Sequence, residues 1–150
     1  MISKDEALIR IDATFAGVPR PDNGELHHPE SYDDMDLQRL YEIRSWRDMT
    51  DQDVIEEYAA LSFLSAAGFR YFLPAYMRFA LLNPDSPQAV VSSTIWALDP
   101  NLYSDGIAAY ARSKYALFDE AQRAAVVAFL EAMTDSSYGD DALRALQEWR

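Results

Sequence analysis

The adjacent pair His27-His28, flanked by Asp22, Glu25 and Glu30, is the first place in this sequence where residue types and spacing could do chemistry. These are the only two histidines, so imidazole acid–base catalysis has no other source in the chain. Two neighbouring imidazoles hold a divalent ion only when a loop turns both inward and adds further ligands, whereas zinc-binding helices place histidines four apart around a glutamate. Glu25 and His28 have the Glu-x-x-His spacing of a di-metal carboxylate bundle, but that centre needs a second such pair, and Glu56-Glu57 brings no histidine. Asp135, Asp140 and Asp141 around Gly139 lack the regular ligand spacing of a calcium loop. Neither "AAGFR" nor "SSYGDD" presents the Gly-x-Ser-x-Gly elbow of a serine hydrolase, and no glycine-rich phosphate loop accompanies the only two lysines, Lys4 and Lys114. Cysteine is absent, which removes thiolate nucleophiles, thiolate metal sites and disulfides. No catalytic, metal-ligating or cofactor-binding residue is assigned, no cofactor is expected, and the histidines are expected in a solvated or partly packed loop.

The elements that position these residues read as helices. Ser3 and Glu6 have capping-box spacing ahead of Ala7, Leu8, Ile11 and Phe15, which predicts a helix from about Lys4 to Ala16. "GVPRPDNGELHHPESYDD" has three prolines and no sustained period, giving one long loop over about 17–35. Helical steps at Leu37, Leu40, Tyr41 and Arg44 predict a helix over 36–45, and Thr50 with Asp53 starts another that Val54, Tyr58, Leu61 and Phe63 continue. Ser65 caps a helix over about 66–81 that contains Pro74, where a bend or a division is expected because proline removes the donor owed to the Arg70 carbonyl. Ser86-Pro87 reads as a cap and first-turn proline of a helix to about Leu98. Ser104 or Asp105 starts the next, with Ile107, Ala108, Ala111 and Tyr115 on one side. Asp119 and Gln122 form a capping box, and Leu143, Leu146 and Trp149 dock a last helix over 140–149. The expectation is an all-α, irregular orthogonal bundle of about six to seven helices in a single domain spanning 1–150.

The aromatic block "LSFLSAAGFRYFLPAYMRFALL", Leu61 to Leu82, has the spacing of a packing surface. A groove on it could also receive a ligand or partner. Arg70 and Tyr71, placed at a rim beside Pro74, are of the types that anchor interfaces. The candidate interaction or pocket-rim residues are therefore His28, Glu30, Trp46, Arg70, Tyr71 and Tyr76.

Charge narrows the partners. The formal charge is −12, and from Asp22 to Glu57 twelve acidic residues face only Arg39, Arg44 and Arg47. Such a field repels phosphate backbones and favours a basic protein, so no nucleic acid is expected. No apolar run approaches the roughly 20 residues of a membrane helix, and the amino terminus lacks the basic flank and apolar centre of an export signal. A cytoplasmic protein with no membrane partner is expected.

Trp46 with "FLSAAGFRYFLPAYM", Phe63 to Met77, and "LFDEAQRAAVVAFLEAM", Leu117 to Met133, resembles an uncharacterised family of small, acidic, mostly helical bacterial proteins, a domain of unknown function. The resemblance implies no activity or catalytic residue. Some similar small acidic proteins are antitoxin-like immunity proteins.

Three readings stand. The first is a non-catalytic acidic protein that binds a protein partner, including an immunity or antitoxin-like role against a basic toxin. The second is a small-molecule-binding protein or enzyme with a site between the 22–35 loop and the 66–81 helix, using His28, Glu30, Arg70 and Tyr71. The third is a structural homo-oligomer.

Overall fold

The computed structural model describes residues 2–28 and 37–150. Glu30 lies outside them, as do the end of the long loop and the start of the helix expected over 36–45. The chain forms an all-helical, irregular bundle: α1 (Lys4–Thr14), α2 (Asp51–Glu56), α3 (Ala60–Phe63), α4 (Ala66–Leu82), α5 (Val90–Trp96), α6 (Asp105–Tyr115), α7 (Glu120–Met133) and α8 (Gly139–Trp149). Among the described residues the only extended pairing is one antiparallel bridge between His27 and Leu64.

Helix α4 is the hub, touching α1, α2, α3, α5, α6 and α7, while α7 packs on α1 and α8. Ser65 caps it, accepting the Gly68 amide at 3.1 Å. It buries Phe69, Tyr71, Phe72, Leu73, Tyr76, Met77 and Phe79, so the aromatic block is core. Helix α4 continues through Pro74 undivided, because nearly every side chain around the proline is held by packing. A ring cluster joins the outer helices to the hub: Phe118 lies with centroid separations of 6.0 Å from Phe15, 6.0 Å from Phe69 and 5.5 Å from Trp149.

Side-chain caps account for several of the starts that match expectation, although α6 begins at Asp105 as expected without one. Thr50 with Asp53 and Asp119 with Gln122 both form complete reciprocal capping boxes.

Four elements differ from the sequence reading, each for a physical reason. Residues 37–45 form no α-helix but a 3₁₀ turn at Leu40–Glu42 followed by extended backbone. Side chains from elsewhere take the carbonyls that a helix would use: Arg20 donates to Leu40 (3.0 Å) and Ile43 (2.7 Å), Asn23 to Tyr41 (3.1 Å), and the Tyr71 hydroxyl to Arg44 (3.2 Å). The helix expected from Thr50 through Phe63 breaks after Glu56 into α2 and α3, where the buried Tyr76 hydroxyl donates to the Glu57 carbonyl at 2.7 Å. Ser86 accepts the Gln88 amide in a local turn, so α5 starts only at Val90, and the cap-then-proline arrangement occurs instead at Asp99-Pro100. In α8, Leu143 is exposed, because three-residue steps rotate by roughly 60° each around a helix. The docking stripe is Ala142, Ala145, Leu146 and Trp149.

Candidate functional site

Helix α6 places Ile107, Tyr110, Ala111 and Lys114 on one stripe, at steps of three and four residues. Lys114 thus occupies a position that an apolar residue would ordinarily fill, and it is 5% exposed. Its Nζ donates to the Leu61 carbonyl of α3 at 3.1 Å and lies 4.7 Å from the Phe69 ring centroid and 5.1 Å from that of Tyr110. No carboxylate among the described residues pairs with it. An ammonium has three donors, so one carbonyl and two ring faces satisfy it only in part. Burial therefore favours the neutral amine and lowers the Lys114 pKa to about 8.

Lys114 lines a cleft of about 580 Å³ between α3 and α6, open to solvent on one side. Leu61, Ala97, Ile107 and Ala111 supply apolar wall, and Ser62, Ser104 and Tyr103 supply polar groups near the mouth. The His28 ring lies against Tyr110, with centroids 3.8 Å apart and planes tilted by 47°. Burial raises the hydroxyl pKa of Tyr110 and of Tyr103, the latter also through Asp99, so both phenols stay neutral hydrogen-bonding groups near neutral pH. The Tyr110 hydroxyl donates to the Leu64 carbonyl at 3.3 Å, which fixes the ring under the histidine. Chemically, the cleft offers greasy walls, neutral hydroxyls and one amine poised between its two protonation states. Among the described residues no cluster of three or more histidine, aspartate or glutamate side chains could hold a metal.

Of the sequence candidates among the described residues, only His28 lines this cleft. Trp46, Tyr71 and Tyr76 are buried. The Tyr71 hydroxyl accepts the Trp46 amide at 3.3 Å, and the Arg47 and Arg78 guanidiniums cover the Trp46 ring at 4.4 and 5.3 Å. Arg70 borders a separate hollow with Thr14, Val18 and Asp119, and donates to the Leu117 carbonyl at 3.2 Å. Residues 25–28 of the loop are tied by hydrogen bonds to the end of α3 and the cap of α4. The Ser65 amide donates to Leu26 at 2.6 Å, the Ser65 hydroxyl to Glu25 at 2.6 Å, and the His28 amide to Phe63 at 2.8 Å. Lys114 escaped the sequence reading, although its signal was present: one of two lysines, at an apolar position of a helical stripe.

No helix among the described residues is long and apolar enough to cross a membrane. No curated protein and no solved structure matches the chain significantly. A family of unknown function, DUF6714, matches residues 3–150. Because that match takes in nearly the whole chain, the protein belongs to the DUF6714 family.

Proposed function

We propose that this protein binds a small, largely apolar molecule in the α3–α6 cleft, with the polar head of that molecule against Lys114 Nζ. The observation that carries the reading is a buried lysine lining a roomy cleft, its amine bonded among the described residues to one carbonyl. A side chain placed only to fill the core at this point would be apolar, since a buried charge without a counter-ion is costly. A ligand acceptor would give the amine a second hydrogen bond while the walls cover the rest of the molecule. The test is thermal unfolding with six-carbon probes: hexan-1-ol, hexanal and hexanoate. A probe at about 100 times its Kd stabilises the native state by about 2.7 kcal/mol, a rise of roughly 5–10 °C in Tm for a chain of this size. A flat Tm across the three probes sinks the reading.

A second reading, a basic protein partner, has its own support. In the acidic Asp22–Glu57 segment, Arg39 is already paired with Asp53 and Glu56, and Arg47 with Asp12, which leaves Glu42, Asp48 and Asp51 on the surface in excess. Immunity-type masking of a cationic protein would use such a face. Its test is a low-salt pull-down of one defined basic partner that the triple variant Glu42→Gln, Asp48→Asn, Asp51→Asn fails to retain; equal retention by the variant contradicts it.

A further inference from the structure

We infer that the Lys114 amine is a nucleophile that forms a reversible imine with an uncharged, largely apolar aldehyde held in the α3–α6 cleft. The inference rests on the cleft being a binding site, and it names the class of head group.

Three features favour a carbonyl over a carboxylate at this position. The amine is buried with no counter-ion among the described residues, and this desolvation disfavours its charged form by more than the Phe69 and Tyr110 ring faces stabilise it. The site offers one amine and no guanidinium, so a carboxylate would lack the paired donors that usually hold it. The chain carries a net charge of −12, a field that opposes entry of an anion and leaves a neutral aldehyde unaffected.

The step balances without a co-reactant. The neutral Nζ lone pair attacks the carbonyl carbon, the C=O π pair moves to oxygen, and the nitrogen passes a proton to that oxygen through water in the open cleft. The resulting carbinolamine takes a proton from water on its hydroxyl oxygen and loses that oxygen as water, the nitrogen lone pair closes the C=N bond to give a protonated imine, and that N–H proton returns to water. Aldehyde plus amine gives imine plus water, with no change of oxidation state, and hydrolysis reverses it. The apolar wall of Leu61, Ile107 and Ala111 holds the alkyl chain so that the carbonyl rests beside Nζ.

Having only two lysines makes the test clean. The full chain is incubated with hexanal and sodium cyanoborohydride at pH 7.5, which converts the imine to a stable secondary amine, and the hexyl group is located by peptide mass mapping. Lowering an amine pKa from about 10.4 to about 8 raises its neutral fraction on the order of a hundredfold at this pH. The expected result is at least about tenfold faster labelling of Lys114 than of the exposed Lys4, with excess hexan-1-ol suppressing Lys114 labelling and sparing the amino terminus. If hexan-1-ol raises Tm but Lys114 shows no preference over Lys4, the imine is overturned and the binding reading stands. If no probe shifts Tm and Lys114 shows no preference, both fall.

Discussion

At the scale of single residues, Lys114 carries a stability cost whose pH dependence follows from its surroundings. Its pKa falls from an ordinary lysine value to about 8 on folding, so between those values the unfolded chain binds more protons than the native one. Stability must therefore rise with pH as the solution passes upward through about 8, and the destabilising contribution is fully present below it. The total is about 3 kcal/mol over the whole window. Buried tyrosines act in the opposite sense above about pH 10. Tyr76 and Tyr115 have raised pKa values, chiefly through burial, so the native state retains phenol protons that the unfolded chain releases. Urea unfolding at pH 7.0 and 9.5 should show greater stability at the higher pH. The Lys114→Met variant, which keeps the side-chain volume, should lose most of that difference. An unchanged slope in the variant would place the proton release elsewhere.

At the scale of elements, the α3–α4 junction fixes the cleft, and Gly68 permits the junction to close. A Cβ at Gly68 would lie 2.8 Å from the Leu26 carbonyl oxygen and 3.0 Å from Leu64 Cδ2. That same carbonyl accepts the Ser65 amide, and two residues later His28 reaches Tyr110. Gly68→Ala should then cost about 1–3 kcal/mol through overpacking, despite the modest gain expected from stiffening the unfolded chain. It should also loosen His28 from the Tyr110 ring, readable as a shift of both side-chain signals by NMR. A variant as stable as the parent would mean that the loop is free to move. Of the helix starts legible in the sequence, those at Ser3, Ser65, Thr50 and Asp119 have a side-chain cap that meets a backbone amide three residues on, whereas the start at Ser104–Asp105 is met without such a bond. The breaks at 37–45 and 57–59 were not legible, because the groups that intercept the backbone carbonyls, Arg20, Tyr71 and Tyr76, come from distant parts of the chain. The candidate site divides the same way. His28 drew notice by its type, whereas Lys114 gains meaning only when α3 supplies the Leu61 carbonyl and α4 the Phe69 ring.

At the scale of the whole molecule, an interior of helices around α4 is surrounded by a surface with a net charge of −12. Self-repulsion among those carboxylates opposes folding, and it is screened once the Debye length falls to about 10 Å or less. Tm should rise between 10 and about 150 mM sodium chloride, and a fall over that range would show that the surface pairs, those of Arg39 and Arg47 and that of Arg112 with Glu148, outweigh the repulsion. The same screening leaves a buried amine nearly untouched, which separates the charge of the surface from the chemistry of the cleft. The central claim is that Lys114 is a desolvated amine without a counter-ion among the described residues, and the most direct measurement is an NMR pH titration of protein carrying ¹³C at the lysine Cε. With two lysines there are two resonances to follow. The account predicts that one of them, absent from Lys114→Met, titrates near pH 8. Both resonances titrating in the ordinary lysine range, near 10.4, would contradict it.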